Sequence, residues 1–193
     1  MKAPPSLDSQ INRFGFWSVI VMIATAVISA FFPLDVPEGH TAEHADRVIW
    51  LVENRGGFIA GWVNQIAAMF SLSAVIACAA WVAATRNALL ALLSALFTGM
   101  ATMAFIVPKF IAVWTIPLLA DTVAAGVAGA EMADTLLLLL NVTIPFSLYT
   151  SFDYLGFWLY SVAALLLAVP LYGDTASAKV AAVSLGVFGA FYQ

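Results

Sequence analysis

Hydrophobic positions in this chain run in long unbroken stretches, not in the alternation of a strand or the one-sided stripe of a soluble helix. Gly56 to Thr85 holds 30 residues without a charge, and Asn87 to Pro108 adds 22 more, with only Arg86 between them. A helix that crosses a bilayer needs about 20 apolar residues. The two runs therefore predict transmembrane helices over 57–84 and 88–108. Arg86-Asn87 is the whole turn between them, which makes these helices adjacent and antiparallel. The same reading gives a first helix over 14–33, ended by Pro33 and Pro37, since proline lacks the backbone donor a continuing helix needs. A fourth, over 135–152, is interrupted by Pro145, and a fifth runs over 154–172. A sixth is expected over 175–193. Either it begins near Thr175 with Lys179 snorkelling to the surface, or the chain stops partway through its last span.

Two segments do not read as spans. Within 34–55, Thr41 is the expected N-cap of a short helix, Glu43 sits in its first turn and Gly56-Gly57 form its stop. Ala45, Val48, Ile49 and Val52 recur at helical spacing among polar neighbours, which predicts an amphipathic helix with Trp50 as an interfacial anchor. The other segment, 109–134, combines Trp114, Gly126, Gly129 and three acids, and reads as re-entrant or surface-lying.

Composition fixes the class. The 193 residues are 63% hydrophobic and 9% charged, against roughly 25% charged in an ordinary soluble domain. Segments of about ten residues with alternating polarity, the mark of a transmembrane barrel, are absent. The expected fold is an all-α integral membrane bundle of five or six helices in one domain, 1–193, with a short amphipathic helix in the first loop. Lys2 and Arg13 before an apolar run resemble a signal peptide. The run is about twice the length of an h-region and ends in Phe31-Phe32-Pro33, not at a small-residue cleavage site, so it reads as a retained first helix. The net charge is −4 with no basic tract, which argues against a nucleic-acid partner. The expected partners are the lipid bilayer and other membrane subunits or a second copy of the chain. Cys78, the single cysteine, excludes an internal disulfide, a CxxC redox pair and a c-type haem site.

Chemistry-bearing residues are few. His40-Thr41-Ala42-Glu43-His44 matches H-x-x-E-H, in which two histidines a turn apart hold zinc and the glutamate acts as base. Pro37-Glu38-Gly39 just before it argues against a helix there, and the chain has no third histidine. The simpler reading is a solvated polar loop; no cofactor is expected, and zinc is the metal that His40, Glu43 and His44 would take. Asn64, Gln65 and Asn141 lie inside apolar runs, and Lys109 follows Pro108 at the end of the third. These four polar residues form the candidate ligand site, between helices 2, 3 and 4. Against it stands the reading of the amides as interhelical glue and of Lys109 as a snorkelling end residue. Gly57 and Gly61 form a GxxxG, a packing face for another helix. Asp153 reads as a solvated turn acid.

The leading functional expectation is a non-enzymatic accessory or interaction subunit of a plasma or inner membrane. A small transporter or ligand-binding protein using Asn64, Gln65, Lys109 and Asn141 comes next, and metal binding at His40 and His44 third. Lysines and arginines tie at three on each side of the membrane before Lys179 is placed, so they do not orient the chain by themselves. Reading Arg47 and Arg55 as lipid anchors on the amphipathic helix puts the N-terminus in the cytoplasm. A reporter fused after Arg86 is then expected to be cytoplasmic; an extracytoplasmic signal inverts the threading.

Overall fold

A computed structural model describes residues 5–193, all of whose regular elements are helical. Four helical stretches are long and apolar enough to cross a membrane: Leu7–Ile28, Arg55–Ala84, Ala88–Ala125 and Leu148–Leu171. We label the helices α1 (Leu7–Ile28), α2 (His44–Glu53), α3 (Arg55–Ala84), α4 (Ala88–Phe110), α5 (Ile116–Ala125), α6 (Ala130–Leu139), α7 (Leu148–Leu171) and α8 (Ala176–Phe191).

Several boundaries differ from those the sequence suggests, each for a local reason. The third apolar run does not end at Pro108. After α4 the chain makes a π-helical turn, Ile111–Thr115, and continues directly into α5. Pro117 would drive its ring against the carbonyl of Val113, four residues back, in a regular helix. A wider turn over those residues relieves that clash. The resulting stretch, Ala88–Ala125, has 38 residues, about 57 Å at 1.5 Å per residue. The helix expected over 135–152 is two elements: α6 ends at Leu139, 140–147 is irregular, and α7 begins at Leu148. Pro145 lies in that irregular stretch, where its missing donor does no harm. Asp153 therefore sits in the second turn of a helix and not in a solvated turn.

In the first loop, Thr41 caps nothing. It ends a 3-10 turn, Gly39–Thr41, and its hydroxyl donates to the carbonyl of Glu38 at 2.8 Å. Glu43 precedes α2 as its N-cap residue. Gly56 and Gly57 lie within the first turn of α3, because Asn54 closes α2 and α3 starts at Arg55. The buried face of α2 is Arg47, Val48 and Leu51, while Ile49 and Val52 are exposed. The helix is thus rotated from the orientation its apolar stripe alone predicts. The cause is Arg47, which is no lipid anchor: it turns inward to Asp35, Nε to Oδ1 at 3.3 Å, and both side chains are 7% exposed.

Contacts divide the described chain into two compact units. One comprises residues up to Ala24, Ala68–Met103 and Leu155–Gln193; the other comprises Thr25–Ala67 and Ala104–Tyr154. In the first, small residues let helices approach: Ala83, Ala101, Ala163 and Ala164 are completely buried. Hydroxyls tie it across helices, with Ser73 Oγ 2.7 Å from Thr102 Oγ1 and 2.5 Å from Tyr160 Oη. Ser94 donates to the carbonyl of Ala163 at 3.0 Å. Hydroxyls packed away from water in this way must bond within the protein.

The second unit has a core of Val48, Leu51, Phe58, Trp62, Ala112, Ile116, Ala120, Leu137, Leu140 and Tyr149. α5 and α6 form its hairpin. Gly126 and Gly129 take φ of 60° and 92° in the turn, a left-handed backbone that side chains resist. The irregular stretch 140–147 is pinned down by Asn141, whose Oδ1 accepts from the amides of Thr143 and Ile144 at 2.8 and 3.1 Å. Thr143 in turn donates to Asp35 Oδ2 at 2.7 Å.

The two GxxxG glycines differ. A Cβ on Gly61 would lie 3.0 Å from Leu34 Cδ2 and 3.2 Å from the carbonyl oxygen of Pro33, whereas one on Gly57 meets nothing within 4 Å. Gly57→Ala is expected to be neutral or to stabilise by up to ~1 kcal/mol through lost unfolded-state freedom. Gly61→Ala is expected to destabilise by about 1 kcal/mol from crowding. Thermal unfolding in detergent reads both; equal effects would contradict the packing described.

Candidate functional site

The four polar residues that the sequence groups together belong to three separate networks. Asn64 Nδ2 donates to the carbonyl of Thr25 and to Ser29 Oγ, each at 2.9 Å, and Gln65 Nε2 donates to the same Ser29 oxygen at 3.0 Å. These amides join α3 to the end of α1. Asn141 serves the loop described above. Lys109 belongs to neither group. His40 and Glu43 are exposed on the 3-10 turn and just before α2. His44 lies on α2, its Nε2 2.7 Å from Asp134 Oδ1. Among the described residues no group of three histidine, cysteine, aspartate or glutamate side chains is placed to hold a metal ion.

Lys109 is the residue of that set with the most unusual surroundings. Its side chain is 8% exposed and its Nζ donates to Asp153 Oδ1 at 3.0 Å, the aspartate side chain being 30% exposed. α4 contributes Phe105 as well as Lys109, four residues apart and so on one face. α7 contributes Tyr149 and Asp153 with the same spacing. The Lys109 ammonium lies 4.4 Å from the centroid of the Phe105 ring and 5.9 Å from that of Trp62. An aromatic face attracts a cation through its quadrupole, so the ammonium is held on two sides by rings and on a third by a carboxylate.

The rings are themselves fixed. Trp50, Phe58, Trp62 and Tyr149 form a chain of edge contacts, with centroids 6.3, 6.2 and 5.1 Å apart in turn. Trp62 also donates its indole N–H to the carbonyl of Leu34 at 3.2 Å. Tyr149 is 2% exposed and its hydroxyl is buried without a hydrogen-bond partner among the described residues. Most buried polar side-chain atoms are paired, so that hydroxyl is a group left open beside the ion pair.

Asp153, Tyr149 and Trp62 were not legible as a site while 154–172 read as a helix of its own. The signal was nonetheless there. Asp153 is the only acid between Asp134 and Asp174, and Lys109 the only base between Arg86 and Lys179. An ionisable residue within a membrane-length apolar helix is a functional candidate by default, usually with a partner of opposite sign. Comparison with protein-family models, with curated protein sequences and with solved structures finds no match to this chain, so these side chains carry the functional argument alone.

Proposed function

We propose that the chain is a multi-pass membrane protein that binds a small zwitterionic solute, with Lys109 and Asp153 as the two poles of its site. The observation that carries this reading is the ion pair between α4 and α7 beside the unpartnered Tyr149 hydroxyl. Removing one half of a buried pair leaves the other charge uncompensated, at about 3–5 kcal/mol. A ligand with a single charge that displaces one partner incurs that penalty. A zwitterion replaces both: its carboxylate takes the Lys109 ammonium, its cationic end takes Asp153, and no charge is left alone. The Phe105 and Trp62 rings suit the cationic environment, and Tyr149 supplies a hydroxyl to a ligand oxygen. Asp153, the more exposed of the pair, is the end such a solute meets first.

A second reading, the interaction subunit, is favoured by α1. It is apolar, yet only 11% of its most hydrophobic window is buried within the chain. Lipid or another membrane helix would cover it. A purified protein that runs at monomer mass in mild detergent removes a second copy as that partner.

The leading reading is tested by thermal unfolding of the purified protein with glycine, β-alanine or glycine betaine, each set against acetate and methylammonium. A bound solute at 100 times its Kd stabilises by about 2.7 kcal/mol. At least one zwitterion is expected to raise the unfolding midpoint, and the singly charged ions are expected to leave it in place. No response to any zwitterion, or an equal response to acetate or methylammonium, would contradict the proposal.

A further inference from the structure

Arg86 is the one charge in the apolar region from Gly56 to Pro108. It lies in the short connection between α3 and α4, and its guanidinium reaches across to the end of α7. There Nη1 donates to the carbonyl of Pro170 at 3.2 Å and to that of Tyr172. The seat is closely fitted: a Cβ on Gly173 would lie 3.0 Å from Nη2 and 3.3 Å from Nη1. Among the described residues no carboxylate forms an ion pair with Arg86. Its positive charge is therefore oriented by neutral carbonyls and left without a counter-ion, even though Asp174 is close in sequence.

Beside it is a groove of about 430 Å³ lined by Val82, Thr85, Arg86, Leu171, Ser177 and Ala181, among others. The lining is graded. Arg86 supplies a cation and Ser177 a hydroxyl, while the Thr85 hydroxyl donates to the carbonyl of Val82 at 2.9 Å; Val82, Leu171 and Ala181 supply an apolar wall. Lys179 is exposed on the first turn of α8, and Asp174 is exposed just before that helix; neither lines the groove. A site with a cationic, hydroxylated end and an apolar wall matches an anionic headgroup joined to acyl chain.

From this geometry we infer that the Arg86 groove binds the headgroup of an anionic phospholipid. The inference rests on the membrane reading of the four long helices and is independent of the Lys109–Asp153 proposal. A connection of three residues between two spans lies at the membrane surface, where headgroups are the abundant anions. Basic pockets between helices on the cytoplasmic side are suited to acidic lipids, and each arginine or lysine near the surface contributes about 1 kcal/mol of attraction.

The test compares the full chain with Arg86→Gln and with Ala181→Phe, which fills the groove while leaving the guanidinium untouched. Alkaline extraction of membranes first establishes that each protein is integral; release of the wild type overturns the membrane reading itself. Retention of phosphatidylglycerol against phosphatidylcholine is then measured on protein purified from mixed vesicles by native mass spectrometry. The wild type is expected to prefer phosphatidylglycerol; Arg86→Gln is expected to lose about five-fold of that preference, and Ala181→Phe to reduce it as well. Inorganic phosphate is expected not to displace the lipid. Equal retention of the two lipids by the wild type, or an unchanged preference in the variants, overturns the site. Displacement by phosphate overturns its assignment to a lipid.

Discussion

A charge or hydrogen-bonding group shut away from water must find its partner inside the protein, and that constraint orders this molecule. The chain has only 18 charged residues, and those buried deepest are paired. Arg47 turns α2 inward to meet Asp35. Asp35 accepts from Thr143, and Asn141 next to it folds the stretch that separates α6 from α7. Lys109 meets Asp153. Each pairing fixes something that hydrophobicity leaves free: the rotation of a helix, the path of a loop, or the facing residues of two membrane-length helices. Apolar burial drives the helices together, but it is nearly indifferent to rotation where the whole surface is apolar.

This explains what could be read in advance. The helical class with membrane-length apolar helices, the connection at Arg86 and, of the two readings of the last segment, the helix beginning near Thr175 follow from charge spacing, which is local. The continuation of α4 through Pro108 and on into α5 is not legible from sequence, because a proline reads as a stop, whereas here Pro108 lies inside α4 and Pro117 follows a wider turn over Ile111–Thr115. The split of 135–152 around Pro145 has the opposite cause: an apolar run looks like a span even where Asn141 and Pro145 make it irregular. Arg47 looked like a surface anchor because its partner Asp35 lies 12 residues earlier, outside any helical repeat.

The candidate site shows the same division. Lys109 stands out from sequence, and Asp153 is the isolated acid that could pair with it, yet a helix boundary placed at 154 leaves Asp153 in a turn and hides the pairing. The amides at Asn64 and Gln65 were visible as polar positions in an apolar helix, and their bonds to Thr25 and Ser29 make them joints between α3 and α1. Tyr149 and Trp62 were indistinguishable from belt or core aromatics. The spacing of Phe105 to Lys109 and of Tyr149 to Asp153, four residues each, places each pair on one face of its helix.

The central claim is that the Lys109–Asp153 pair serves a purpose other than holding the fold. Unfolding measurements on Asp153→Asn and on the apolar pair Lys109→Met with Asp153→Leu address it most directly. Asp153→Asn strands a nearly buried ammonium and is expected to cost about 3 kcal/mol or more. The apolar double replacement is expected to be as stable as the natural chain, or more so, while losing the response to zwitterionic solutes. A double variant that keeps that response, or that is as unstable as Asp153→Asn, would contradict the account.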